Sequence, residues 1–223
     1  MRMRKKKNLE ERLKVFDDLL IVPRNDIKDF SRAEEFQDYF DYTELFGNDN
    51  PVVLEIGCGK GQFAVEIAKR NPDKNFLAVE KYANVLVSAC EKLRESGLKN
   101  LKFVQCSAEY LPSYIKPNCI ERIYLNFSCP YPKKSYANHR LTNKRFLKIY
   151  ERILISGGEI HQKTDNIHFF EYSIEQLSDY GFTIKNVSLD LHKSDFEGNI
   201  VTEYEKRFSD MGYPIYRMEA YLK

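Results

Sequence analysis

The chain contains no uninterrupted apolar run of about 18 residues, which leaves no candidate for a membrane-spanning helix. Its opening, MRMRKKK, lacks the apolar stretch of a signal peptide. The five cysteines (58, 90, 106, 119 and 129) are odd in number, none pair as C-x-x-C, and no histidine cluster accompanies them. That argues against a structural zinc or other metal site and against a disulfide framework, and it points to a reducing compartment, the cytoplasm. There is no internal repeat and no low-complexity linker. Nor is there a large excess of one charge: the net value is +2, less than many dedicated nucleic-acid binders carry.

What is present suits one sizeable α/β domain. The 223 residues are 43% hydrophobic, enough to bury a core and too apolar for global disorder. Positive charge is clustered in two blocks. One is Arg2, Arg4, Lys5, Lys6 and Lys7; the other is Lys133, Lys134, Arg140, Lys144, Arg145 and Lys148. Each reads either as a solvated surface or as a patch for a polyanion.

The periodicity predicts a helix over 9–20, then a second helix from a capping-box signal at Ser31 and Glu34 to about Phe46. After GNDNP the pattern alternates. Strands are expected at 52–56, 76–80, 101–105, 121–127, 157–163, 182–191 and 213–222. Helices are expected at 61–70, 82–96, 140–154, 166–180 and 203–211, with a short one after 105. Alternating β and α elements imply a mostly parallel seven-stranded sheet covered by helices on both faces, with the last strand antiparallel. The expected division is a basic arm and leading helices over 1–50 and a catalytic domain over 51–223. In such sheets ligands sit beyond the carboxyl ends of the strands.

LEIGCGKGQF puts Gly57, Gly59 and Gly61 at the first strand-to-helix turn. Glycine permits a tight turn and close approach of a ligand to the backbone. A dinucleotide fingerprint needs glycine at 62, where Gln62 stands. Glu80, 19 residues past Gly61, can accept two ribose hydroxyls. Glu55 adds a second negative charge, which suits an ammonium and a sulfonium and repels a pyrophosphate. The loop therefore points to S-adenosylmethionine ahead of NAD. The competing reading is a glycine turn for helix–sheet packing, with Glu80 as a solvated strand end.

The region Glu55 to Glu80 resembles the Rossmann-like class I S-adenosylmethionine-dependent methyltransferases. Four further pieces, YLNFSCPYPKK, GEIHQKTDN, DFEGNIVTEYE and FGNDNP with the opening MRMR, are similar to the bacterial tRNA (guanine-N7-)-methyltransferase family. The resemblance covers nearly the whole chain. It implies methyl transfer to N7 of a guanine in the tRNA variable loop, nucleotide position 46, with S-adenosylhomocysteine as second product and no metal. It also implies that Glu55 and Glu80 contact the cofactor. Ser107 stands where the family carries Asp near the adenine, so weaker cofactor binding is expected. Lys133, Asp165 and the segment Thr202, Glu203, Tyr204, Glu205 match positions used for the RNA. Cys129 stands where the family has its catalytic Asp, and Tyr131 replaces a Trp; Tyr131, flanked by Pro130 and Pro132, is a rigid platform for a base.

Bland readings stand beside these. Asp165 could be a helix N-cap, and Thr202 with Glu205 a capping box. Lys133 and Lys134 could be solvated, and Cys129 a small buried hydrophobe. His139, His161, His168 and His192 show no ligand spacing. Two other functions compete: an amino-group methyltransferase, because SCPY resembles [D/N/S]-P-P-[Y/F], and a catalytically weak member that binds tRNA. Monomer and homodimer both remain open.

Overall fold

The computed structural model describes residues 7–23, 33 and 35–222. Ser31, Glu34 and the basic residues before Lys7 lie outside the described residues, so the capping-box and arm expectations fall there. The chain divides into two compact units, Met1–Lys116 and Pro117–Lys223.

The first unit holds α1 (Leu9–Lys14), β1 (Leu20–Ile21), α2 (Tyr42–Phe46), β2 (Val52–Ile56), α3 (Gln62–Arg70), β3 (Asn75–Val79), α4 (Ala83–Ser96), β4 (Leu101–Val104) and α5 (Leu111–Tyr114). Its strands lie in the order β1-β4-β3-β2, and every pair is parallel. VVLEI and NFLAV are buried at every position, as strands covered on both faces must be. Leu86, Val87, Cys90 and Leu93 of α4 are buried, and each large apolar side chain withdrawn from water contributes roughly 1.5–3 kcal/mol. Gly97, left-handed at φ 68°, ends α4 where the sequence places the stop.

Two expectations fail here. The helix predicted over 9–20 stops at Lys14, because Leu20 and Ile21 leave it to pair with Phe103 and Val104 of β4. Ion pairs Arg12–Glu91 (2.7 Å) and Arg94–Asp18 (2.5 Å) fasten this stretch to α4. The helix predicted up to Phe46 is confined to Tyr42–Phe46, capped by Asp41 accepting from the Glu44 N–H at 3.0 Å. Before it the chain is extended: the Asp38 and Phe40 N–H groups donate to the Ser113 and Tyr114 carbonyls, and the Phe40 ring stacks on Tyr114 at 5.7 Å.

The second unit holds β5 (Ile120–Asn126), α6 (Lys144–Ile153), β6 (Leu154–Thr164), α7 (Ile167–Tyr180), β7 (Thr183–Ser188), α8 (Glu203–Asp210) and β8 (Tyr216–Tyr221). The order is β5-β6-β8-β7; β5 and β6 are parallel, and β8 runs antiparallel to both neighbours, as expected of the last strand. Phe146, Leu147 and Tyr150 of α6 and Phe169, Phe170 and Leu177 of α7 are buried. Helix α6 starts four residues later than predicted, because Asn143 caps it by accepting from the Arg145 N–H. Eight strands are present among the described residues, against seven expected; the addition is β1. No helix among the described residues is long and apolar enough to cross a membrane.

Candidate active site

In the first unit the loop after β2 carries Gly57 (φ 83°), Gly59 (55°) and Gly61 (72°), all left-handed. The Gly57 and Cys58 N–H groups both donate to the Val79 carbonyl, tying the loop to the end of β3. At Gly61 a Cβ would lie 2.7 Å from the Phe103 ring and 2.8 Å from the Ala89 methyl. Gly61 is thus required for packing α3 against β4 and α4, in addition to the cofactor contact expected of it.

Glu80 is set by the same loop. One carboxylate oxygen accepts from the Gly59 N–H (3.2 Å) and the other from the Tyr82 N–H (2.9 Å). Glu55 and Glu80 are both buried, and Cys58 between them reports their field. Burial, then Glu55, then Glu80 push its thiol well above the ordinary value. Two buried carboxylates beside the glycine loop suit a cationic ligand with ribose hydroxyls and disfavour a pyrophosphate.

Beyond β4 the sequence reading missed a residue. The Ser107 hydroxyl donates to the Glu109 carboxylate. Burial and then Glu109 raise the Cys106 thiol to about 12. The charge that position 107 lacks is present two residues on, and the signal was the acid in CSAEY.

In the second unit β5 runs into the Ser128–Pro132 lip. Phe127 (φ 52°) and Tyr131 (φ 40°) are both left-handed, a strain of about 1–3 kcal/mol each for residues with a Cβ. Contacts hold both ends of the lip. The Phe127 N–H donates to the Lys163 carbonyl at 2.8 Å. Arg140 donates to the Pro130 carbonyl (2.9 Å) and the Tyr131 carbonyl (3.0 Å), and its guanidinium lies 4.3 Å over the Tyr172 ring. The Tyr172 hydroxyl in turn accepts from Asn143 at 2.8 Å. Arg140 therefore does not belong with the solvated basic block; it clamps the lip. Lys133 and Lys134 are exposed. Tyr131 is half-buried, its ring 5.6 Å from His139.

Cys129 is exposed, which corrects its reading as a buried hydrophobe. The neighbouring Ser128 hydroxyl is shut from solvent with no hydrogen-bond partner among the described residues. Asp165 is not the N-cap of α7: Asn166 is, accepting from the Phe169 N–H at 2.9 Å. Asp165 is left facing Tyr204, whose hydroxyl reaches it at 3.5 Å. Partial burial, then Asp165, with a smaller contribution from Cys129, raise that hydroxyl to about 12. Asp165 and Tyr204 thus form one pair, with Cys129 near enough for its charge to be felt.

Thr202 caps α8, its hydroxyl accepting from the Glu205 N–H at 3.1 Å. The Glu205 carboxylate, fully buried, turns inward. It accepts from Lys163 (2.6 Å) and Asn199 (2.7 Å) and lies 3.1 Å from His192. Lys163 also donates to Asn199 (3.0 Å) and the Ile200 carbonyl (2.9 Å). Glu205 is therefore a partner of Lys163, while Glu203 and Tyr204 stand exposed.

His161, read as having no ligand spacing, stands against Glu159 (2.9 Å) and Glu219 (4.0 Å). Arg122 and Lys185 already pair with Glu159, and Arg217 with Glu219. Burial and then Arg122 hold the imidazole down at about 4, so it is neutral at pH 7. The group is a charge network bracing the sheet.

Solved structures with this architecture define the class. A 16S rRNA methyltransferase, KamB, aligns with a TM-score of 0.61 at 15% identity over 84% of this chain and 95% of its own. An antibiotic-related methyltransferase aligns at 0.59 and 20% identity over 85% and 96%. The fold is that of the Rossmann-like methyltransferases, and a family model described as "Putative methyltransferase" matches residues 49–218. The tRNA (guanine-N(7)-)-methyltransferase of Bacillus cytotoxicus is 46% identical over 99% of this chain and 96% of its own length. That of Geobacillus sp. strain WCH70 is 53% identical over 80% and 81%. The chain belongs to the bacterial tRNA (guanine-N7-)-methyltransferase family.

Proposed function

We propose that the protein transfers a methyl group from S-adenosylmethionine to N7 of the guanine at position 46 in the tRNA variable loop. The products are 7-methylguanosine and S-adenosylhomocysteine, and the reaction takes place in the cytoplasm. The observation that carries this reading is the 46% identity to a named tRNA (guanine-N(7)-)-methyltransferase across nearly the full length of both chains. Labelled methyl transfer to unmodified tRNA tests it: incorporation into tRNA is expected, and salt-dependent binding without incorporation would reduce the protein to an RNA-binding module.

S-adenosylmethionine, when bound, would supply an electrophilic sulfonium methyl for the N7 lone pair, with S-adenosylhomocysteine as the leaving group. N7 carries no proton, so no residue has to serve as a general base. Glu55 and Glu80 provide the negative field, with Glu80 held by two backbone N–H groups to receive ribose hydroxyls. Gly57 and Gly59 let the backbone approach the ligand. Ser107 and Glu109 act together at the adenine end. On the substrate side Lys133 meets phosphate, Tyr131 offers a ring to a base, and Thr202 and Glu203, next to Tyr204 in the chain, join the RNA contact. The product base is cationic, so fixed negative charge is needed where positive charge develops. Asp165 serves that need, since the Glu205 carboxylate is committed to Lys163. Cys129 stands at the family's Asp position.

Two substitutions test these roles. Glu109→Gln is expected to raise the KM for S-adenosylmethionine roughly tenfold, the size of one charge-assisted hydrogen bond. An unchanged KM would return the adenine end to Ser107 alone. Cys129→Asp is expected to raise kcat about tenfold, roughly 1.4 kcal/mol off the barrier. A slower enzyme would mean that the thiol has a role of its own.

A further inference from the structure

Helix α8 carries a line of aromatic rings along the surface. Tyr204 and Phe208, spaced to share one helix face, stack at 4.5 Å with their planes 28° apart. Gly212, left-handed at φ 83°, turns the chain, and the Tyr213 N–H donates to the Phe208 carbonyl at 3.1 Å. This brings the Tyr213 ring edge-on to Phe208 at 5.9 Å. At the other end Tyr204 meets Phe127, which leads into the lip, at 5.0 Å, and its hydroxyl reaches Asp165.

Rings that match one another this well normally lie inside a protein. Here Tyr204 is 45% exposed and Tyr213 54%, and Met211 and Val201 are exposed on the same segment. A cation accompanies the rings: the Arg207 guanidinium is 6.0 Å from the Phe208 ring, while Lys206 before it is held by Asp210 at 2.9 Å. Aromatic faces with positive charge alongside suit a single-stranded polynucleotide, whose bases stack while its phosphates meet cations. A paired duplex keeps its base faces covered and cannot use such a surface.

We propose that the line Tyr204–Phe208–Tyr213 is a stacking surface for an unpaired nucleotide next to the target guanine, running from the lip toward Tyr213. This rests on the reading of RNA as substrate, and it extends the substrate contacts two rings beyond Tyr204.

The chain contains no tryptophan, so Tyr213→Trp creates a single fluorescent reporter. Titration with tRNA and with a short single-stranded oligoribonucleotide is expected to quench its emission saturably. Tyr213→Ala is expected to weaken kcat/KM for tRNA about tenfold, with the loss in KM, while Tyr213→Phe keeps the affinity because the ring remains. At 54% exposure the position tolerates all three substitutions, and a thermal scan checks this. Methyl transfer without quenching, together with a Tyr213→Ala variant that binds like the parent, would overturn the surface and leave the reaction standing. Quenching by RNA in an enzyme that methylates no tRNA would keep the surface and remove the reaction. Quenching on raising the protein concentration alone would assign the rings to a second copy of the chain and overturn the proposal.

Discussion

Replacing Glu205 with alanine is expected to lower the melting temperature by roughly 10 °C, more than any surface substitution. Lys163 is 6% exposed and Glu205 not at all, so removing the acid strands an ammonium in the interior. Breaking a buried pair from one side costs about 3–5 kcal/mol, and in a chain of this size each kcal/mol moves the midpoint by about 2–4 °C. The consequence reaches the site. Lys163 holds the Phe127 N–H through its carbonyl, and Asn199, Ile200 and Glu205 through its ammonium. One residue thus fixes the base of the lip and the segment leading to α8. Glu205 is expected to act by holding Lys163, and Lys163→Met with Glu205→Leu should recover part of the stability, because an apolar pair removes both charges but leaves Asn199 without its two partners. Calorimetry on the three variants checks this. A shift under about 2 °C in Glu205→Ala would mean that water reaches Lys163.

Replacing Arg140 with alanine is expected to lower kcat about a hundredfold. The lip contains left-handed Tyr131, a conformation that persists only where surrounding contacts impose it. Arg140 imposes it through two carbonyls and the face of Tyr172. Without the clamp the lip relaxes, and a displacement of about 1 Å near the reacting atoms can cost two orders of magnitude. Arg140→Lys should recover only part of the rate, because an ammonium cannot bridge two acceptors and stack on a ring together. The salt dependence of tRNA binding separates this from a phosphate contact. Here the slope of log affinity against log salt stays unchanged in Arg140→Ala. A slope reduced by about one, with kcat intact, would make Arg140 a phosphate ligand instead.

The stretch from β2 to α4 was readable because VVLEI and FLAVE are short, mostly apolar runs on either side of a glycine turn and a helix. The helix expected to Leu20 was overextended because LEERLKVFDDLL keeps a helical rhythm, while pairing with Phe103 and Val104 gains more for its last residue. That choice depends on residues 83 positions away and leaves no local mark. Asp165 and Asn166 are both competent caps, and only the entry angle of α7 decides between them. Tyr131 and Phe127 carry no glycine to announce their left-handed backbones. Arg140 looked like one cation among six, since hydrogen bonds to carbonyls have no spacing signature. Glu109 is legible in CSAEY as an acid two residues past Ser107, but no sequence feature shows the two side chains meeting. The exposure of Cys129 could not be read, because a free cysteine is by default among the most buried residue types.

The most direct measurement is the position of the transferred methyl group. Unmodified tRNA is incubated with the protein and S-adenosylmethionine, then treated with borohydride and aniline, which cleave the chain at 7-methylguanosine. One cleavage is expected, at the guanine in position 46 of the variable loop, dependent on both protein and cofactor. Label incorporated into tRNA without strand cleavage would place the methyl on an exocyclic amine and contradict it.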